Sequence, residues 1–244
     1  MSAFKVQAEP LRVNIGVLEF PPFSYFERDG KTLTGGVIEL IRQAFAEVSY
    51  EVDFTALPYA RAVALAEEGA LDGCGMLNAG TSTVLQLSHQ PITQLVQTFY
   101  VRASDNWTFD AVDSLKGRRA VTVSSYNYRA ISPSYQDFLE RDTNVTMISS
   151  SSDYLERIIK MITSGRVDLF NESRVVMEHK LEKLKMIGRL KPAGVLGAPL
   201  AIYLGFRPGL EGSQMRDRFN QGWVKLRDSG ELDTIMAQFG MGSN

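Results

Sequence analysis

The sequence has one cysteine, two histidines, almost no excess of either charge, and no apolar run long enough to cross a bilayer. Each shortage excludes something. A single cysteine, Cys74, rules out an internal disulfide and argues against a thiolate-built metal site. Set in the apolar run GCGML, it reads as a small core residue rather than a nucleophile. His89 and His179 stand in no nucleophile or metal spacing, and no glycine-rich phosphate loop is present. The expectation is therefore no catalytic group, no metal and no cofactor. With 26 basic against 28 acidic residues there is no basic stripe of the kind that binds nucleic acid. What is present is enough apolar material for a core: 44% of 244 residues, sufficient for one large domain or two lobes. The start, Met1 to Ala8, lacks the apolar stretch of a signal peptide, yet Val6-Gln7-Ala8 before Glu9 has the small residues of a cleavage site. An ordinary chain start is the alternative; the expectation is the end of a removed export signal, with maturation near Ala8.

The chain contains an internal echo. Arg61, Gly69 and Asp72 recur as Arg157, Gly165 and Asp168, each pair 96 positions apart. The two stretches, RAVALAEEGALDGCG and RIIKMITSGRVDLFN, both read as a short amphipathic helix, a glycine stop and an apolar strand entered through an aspartate. Val63, Leu65 and Ala66 form the buried side of the first helix; Ile158, Ile159, Met161 and Ile162 form that of the second. Gly69 and Gly165 fall where a helix end needs a residue tolerating positive φ. Such a unit must pack on a sheet to bury its apolar stripe. Two copies far apart predict two similar α/β lobes, with ligands bound between them; the rival reading is a chance pairing of a common motif.

Around this echo the pattern alternates strand and helix. Leu11 to Val17 reads as a buried strand ended by Pro21-Pro22. Val37, Leu40, Ile41, Ala44, Phe45 and Val48 fall at helical spacing after Gly35-Gly36. Tyr50 to Phe54 returns as a strand, and Pro58 opens the next helix where its missing N–H costs little. TQLVQTFYVR suggests a long strand, and the polar stretch Ala103 to Asp113 suits a hinge. A second series begins at RRAVTVSS, and the chain closes with the strand GAPLAIYLGF and two amphipathic helices. Strand, helix, strand, helix, strand is the signature of a mostly parallel sheet.

These segments, in this order, resemble the family 3 extracellular solute-binding proteins over about Pro10 to Gly240. LRVNIGVLEFPPFSY is similar to the family's first strand and Pro-Pro-Phe loop. GKTLTGGVIELIRQAF resembles its Gly-aromatic-helix segment, with Gly36 where the family has an aromatic. LPYARAVALAEEGALDG, SLKGRRAVTVSSYNY, SGRVDLFNE and LRDSGELDTIMAQFG resemble the segments that follow. The resemblance implies an α/β, two-lobed periplasmic binding protein of type II, mixed sheets flanked by helices, with a hinge of two strands. Lobe one would be residues 9–101 plus 200–244, and lobe two 104–197. It also implies a monomeric periplasmic receptor for a small polar solute, amino-acid-like or related, partnered by an ABC-type membrane permease.

Four loops at strand ends are the candidate ligand contacts, since amide donors and helix dipoles gather there. Phe23 and Tyr25 would be apolar walls or a hydrophobic plug. Tyr59 takes the place of a family aromatic that stacks on the ligand, with Arg61 beside it. Met76, Leu77 and Asn78 follow the first aspartate strand, Asn78 as a ligand contact or a local Asx turn. Ser124, Ser125, Tyr126, Asn127 and Tyr128 would offer donors, and Arg129 is a cleft cation or a solvated one. In Asn171-Glu172-Ser173, Glu172 is the candidate acid for a ligand ammonium. One departure stands against the plain amino-acid reading. The family's amino-acid receptors fork an arginine onto the ligand carboxylate, a contact contributing about 1.5–3 kcal/mol. Here TSTVLQ, Thr81 to Gln86, holds no cation, so Arg61, Arg102 or Arg129 would have to substitute. Two rival classes stay open: an enzyme on the same fold, resembling the periplasmic cyclohexadienyl dehydratases with Glu172 as the acid, and a sensory ligand-binding module.

Overall fold

A computed structural model describes residues 11–124, 126–149, 151 and 153–242. The chain runs through β1 (Leu11–Val17), β2 (Tyr25–Phe26), β3 (Leu33–Thr34), α1 (Gly36–Ala46), β4 (Tyr50–Ala56), α2 (Tyr59–Glu67), β5 (Gly73–Leu77) and β6 (Gln86–Leu87). It continues as β7 (Thr93–Leu95), β8 (Gln97–Arg102), β9 (Ala120–Val123), α3 (Pro133–Arg141), β10 (Val145–Ile148), α4 (Tyr154–Thr163), β11 (Leu169–Ser173), α5 (Arg174–Lys183) and β12 (Leu190–Val195). It closes with β13 (Leu200–Phe206), α6 (Leu210–Asp228) and α7 (Glu231–Gln238).

Two compact units result: unit 1 runs to Thr93 and resumes at Ala201, and unit 2 is Gln94–Leu200. Their sheets are built alike. In unit 1 the strand order is β4-β1-β5-β13-β6, with β1 parallel to β4 and β5, and β13 antiparallel to β5 and β6. In unit 2 it is β10-β9-β11-β8-β12, with β9 parallel to β10 and β11, and β8 antiparallel to β11 and β12. Each sheet therefore has a parallel half made by strand–helix–strand crossovers and an antiparallel half supplied from elsewhere in the chain.

The echo occupies the same place in both. After α2, Gly69 takes φ 78° and the Ala70 amide donates to Leu65 O; after α4, Gly165 takes φ 76° and the Arg166 amide donates to Met161 O. Both are Schellman-type helix ends, which require the left-handed conformation that glycine adopts without penalty. The aspartates then clamp the neighbouring parallel strand. Asn14 N–H donates to Asp72 Oδ2 at 2.9 Å while Asp72 N–H donates to Asn14 O at 2.9 Å. Arg119 N–H donates to Asp168 Oδ2 at 2.9 Å while Asp168 N–H donates to Arg119 O at 2.7 Å. Ala62 and Ala66 bury the inner side of α2, with Val63 and Leu65 packed at its margin; Leu155, Ile158, Ile159 and Ile162 bury that of α4.

Unit 1 closes around α1, whose Val37, Leu40, Ile41, Ala44 and Phe45 are fully buried. The glycine that replaces a family aromatic has a local cause. A Cβ at Gly36 would collide with Met241 Sδ and crowd Phe239, so the C-terminal segment fills the volume that the aromatic would take. Cys74 is fully buried in β5, and burial pushes its thiol up to about 12, as a core residue requires.

Two expectations about organisation need correction. Ala103 to Asp113 is no hinge: Phe109 stacks on Phe99 with centroids 4.2 Å apart, Trp107 Nε1–H donates to Ser114 O at 3.0 Å, and both rings pack on the unit 2 core. Residues 94–101, expected in lobe one, lie in unit 2, because β8 is hydrogen-bonded between β11 and β12. Glu9 and the Val6-Gln7-Ala8 cleavage pattern fall outside the described residues.

Candidate functional site

In unit 1 the C-terminal ends of the adjacent parallel strands β1 and β4 are tied together, Leu57 N–H donating to Val17 O at 2.8 Å. The loops leaving them diverge around a concavity of about 450 Å3 lined by Leu18, Glu19, Phe26, Ala56, Leu57, Pro58 and Tyr59. Strand C-termini in parallel sheets are where such openings form, because the crossover loops part there. Tyr59, the first residue of α2, is half-buried, and its hydroxyl shares a 2.9 Å hydrogen bond with Thr81 Oγ1. That bond joins the start of α2 to the loop leaving β5.

The β5 exit is strained. Met76 is buried with φ 64°, a left-handed conformation unusual for a non-glycine residue. It lies where the register between β5 and β13 slips, at a bulge. Asn78 Oδ1 accepts from Gly80 N–H at 2.9 Å, and Thr81 N–H donates to Asn78 O at 3.0 Å, so Asn78 forms the local turn rather than offering its carbonyl outward.

Unit 2 presents a different chemistry at the end of β11. Glu172 is 2% exposed. The Tyr126 hydroxyl donates to its Oε2 at 2.6 Å, the Tyr154 hydroxyl lies 3.2 Å from the same oxygen, and Ser173 N–H donates to Oε1 at 2.7 Å. The two phenol oxygens are 2.8 Å apart. Burial raises the Glu172 carboxyl to about 7, opposed by the donors of Tyr126, Ser173 and Tyr154, and among the described residues no cation bonds to it. Burial and the neighbouring carboxylate also push the Tyr126 and Tyr154 hydroxyls up. The opposite face of this strand carries more unspent polarity. Both side-chain polar atoms of Asn171, Ser173 Oγ and Gln97 Oε1 are buried without a hydrogen-bond partner among the described residues. Gln97 stands directly opposite Ser173 in the ladder.

Several expected contacts are corrected. Phe23 is fully buried, its ring stacked on Phe20 and its carbonyl accepting from Val37 N–H, so it is the plug and not a wall. Leu77 is fully buried in the core cluster beneath α2. Tyr128 is buried against Tyr135, its hydroxyl donating to Asn171 O at 2.9 Å. Arg129 is a solvated ion-pair partner of α3, 3.1 Å from Asp137 and 2.8 Å from Glu140. Arg102 is spent on the Ile162 and Val167 carbonyls at the end of α4 and on Asp168. Neither arginine replaces the missing carboxylate clamp. Arg61 is exposed and has no side-chain partner among the described residues. Tyr25 is half-exposed and paired with Thr34 in the small β2–β3 ribbon. Ser124 and Asn127 are exposed, Asn127 Oδ1 accepting from Arg129 N–H, and Ser125 lies outside the described residues. His179 is half-buried on α5, and burial lowers its pKa; the exposed His89 is held through its backbone by Asn220.

Sequence reasoning missed Glu19, Phe26, Gln97 and Tyr154. Glu19 had a signal, as the one charged residue in the loop that follows β1. Tyr154 had none, because only the packing of α4 on the sheet brings it to Glu172.

Two α/β units with sheets of one design, each with a polar strand end, are the type II periplasmic binding protein fold. The model of the bacterial extracellular solute-binding proteins, family 3, matches residues 13–242, and the chain belongs to that family. The L-cystine-binding protein TcyA of Bacillus subtilis (strain 168) is 22% identical over 219 residues, covering 88% of this chain and 76% of TcyA. The L-cystine solute receptor of Neisseria gonorrhoeae, in its unliganded open conformation, superposes with a TM-score of 0.70 at 18% identity over 95% of this chain and 93% of its own. A histidine kinase sensor domain with similarity to periplasmic binding proteins superposes with a TM-score of 0.74 at 15% identity over 98% of this chain and 100% of its own. At these identities the two structures speak for the fold alone. Among the described residues no helix is long and apolar enough to cross a membrane.

Proposed function

We propose that this chain is an exported, periplasmic, monomeric receptor for a small nitrogen-bearing solute, amino-acid-like or related, which it delivers to an ABC-type permease. A hinge motion closes the two units on the solute, the solute stabilising the closed state through its contacts with both. The observation that carries the reading is Glu172: a buried carboxyl at a strand end, held by two tyrosines, with no cation among the described residues against it. A buried acid of this kind calls for a cationic group from outside. Tyr59 supplies the unit 1 contact, amphipathic enough to line a wet surface. The test is a thermal-shift panel of amino acids, polyamines, small acids and aromatic metabolites, followed by calorimetry. A ligand whose affinity falls at least tenfold in both Tyr59→Ala and Glu172→Gln supports the site; tight binding that survives both rejects it.

A second reading has its own observation. A carboxyl raised to about 7 lies where a general acid works best at neutral pH. Turnover of prephenate or arogenate, lost in Glu172→Gln, would move the chain to the dehydratase-like class. Fold alone does not decide between receptor, sensor and enzyme.

A further inference from the structure

We infer that the solute is an organic dication without an α-carboxylate, a diamine or amino-amidine rather than an amino acid, and that the unit 1 concavity receives one of its two cationic groups, the other being the partner of Glu172. This rests on the receptor reading and narrows the ligand class. Of the residues lining the concavity only Glu19 is charged, and its carboxylate makes no ion pair or side-chain hydrogen bond among the described residues. Around it stand the apolar surfaces of Leu18, Leu57 and Pro58 and two aromatic rings, Phe26 and Tyr59. A carboxylate with unspent capacity and two aromatic rings in one lining are the groups that hold ammonium and amidinium ions, by ion pairing and by the negative face of the rings. The volume, about 450 Å3, suits a molecule of amino-acid size.

The case against a ligand carboxylate is independent of this. The segment Thr81 to Gln86 has no cation, and Arg102 and Arg129 are bound to the protein's own carboxylates. Arg61 stands two residues beyond Tyr59 on α2, roughly 200° around the helix, so the two side chains leave on opposite sides. A ligand carboxylate entering the concavity would face Glu19 with like charge. The partial positive charge at the start of α2 is weaker than a full carboxylate and does not reverse that preference.

Calorimetry on the full chain with matched pairs tests this: cadaverine against lysine, agmatine against arginine. In at least one pair the amine is expected to bind tenfold or more tightly than its parent amino acid. Glu19→Gln should weaken that amine about ten- to hundredfold, the worth of one charge-assisted contact, and Phe26→Ala should weaken it several-fold. Both residues are exposed, so the variants should keep the native melting temperature. A parent amino acid that binds as well as its amine in every pair, with affinity lost in Arg61→Ala, overturns the inference and leaves the receptor reading standing. Amine binding unchanged in Glu19→Gln overturns it as well. Binding of neither series overturns it, and the wider solute panel then decides the receptor reading.

Discussion

The helix–glycine–aspartate–strand segment occurs once in each unit, and the two copies agree in their frame and part at their ends. Through the glycine and the aspartate they match in purpose: a left-handed helix end, then a carboxylate and an amide that grip one residue at the neighbouring parallel strand, Asn14 within β1 and Arg119 just before β9. Beyond the aspartate β5 runs into a bulge at Met76 and the Asn78 turn, whereas β11 stays regular and ends in a buried acid between two tyrosines. The shared part is structural and the divergent part chemical. Requirements of backbone geometry repeat wherever the topology repeats; the groups that meet a ligand do not.

The comparison can be strained in order of effect. Asp168 accepts from Arg119 through its amide, Nε and Nη2 and pairs with Arg102, while Asp72 accepts the Asn14 amide and has Arg207 at 3.5 Å. Asp168→Ala should therefore cost about 3 kcal/mol and Asp72→Ala about 1–2 kcal/mol in urea unfolding, the difference being the extra charged bonds. Equal costs would break the ranking. Arg119 holds the Asp168 carboxyl down to about 2, so this stability is present above the ordinary carboxylate pKa of 3.8 and is lost as pH falls through about 2.

Glu172 titrates in the opposite sense. Its folded pKa is raised from 4.5 to about 7, so its contribution is complete below 4.5 and falls away as pH rises through about 7. Glu172→Gln should gain on the native protein by roughly 1–3 kcal/mol between about pH 5 and about pH 8 in chemical unfolding. A pH-independent difference would mean that the acid ionises freely. The smallest effect sharpens the likeness of the two copies. Gly69→Ala and Gly165→Ala should each cost about 1–2 kcal/mol, by nearly the same amount, because an added Cβ meets open space at Gly69 and one ordinary contact, with Arg102, at Gly165, and the strain is in φ.

The sequence made the frame legible because glycine at a positive φ and aspartate at a strand entry have few substitutes. The family pattern likewise foretold two α/β units with mixed sheets. Less was legible at the candidate site. Tyr154 reaches Glu172 only through the packing of α4 on β11, a tertiary relation with no local spacing. Arg129 stayed open between a cleft cation and a solvated one because its partners, Asp137 and Glu140, lie on a helix whose facing side had to be known first. Ala103 to Asp113 read as a hinge from its polarity, though Trp107 and Phe109 within it were the sign of a segment packed on a core. Glu19 was passed over because a lone exposed acid means little until the concavity around it is seen.

The central claim is that a carboxylate of unit 2, and no arginine clamp, anchors the solute. Isothermal titration at neutral pH, using the tightest hit of the solute panel on the native chain and on Glu172→Gln, tests it most directly. The account predicts a loss of affinity of at least tenfold in the variant. An unchanged dissociation constant would contradict it.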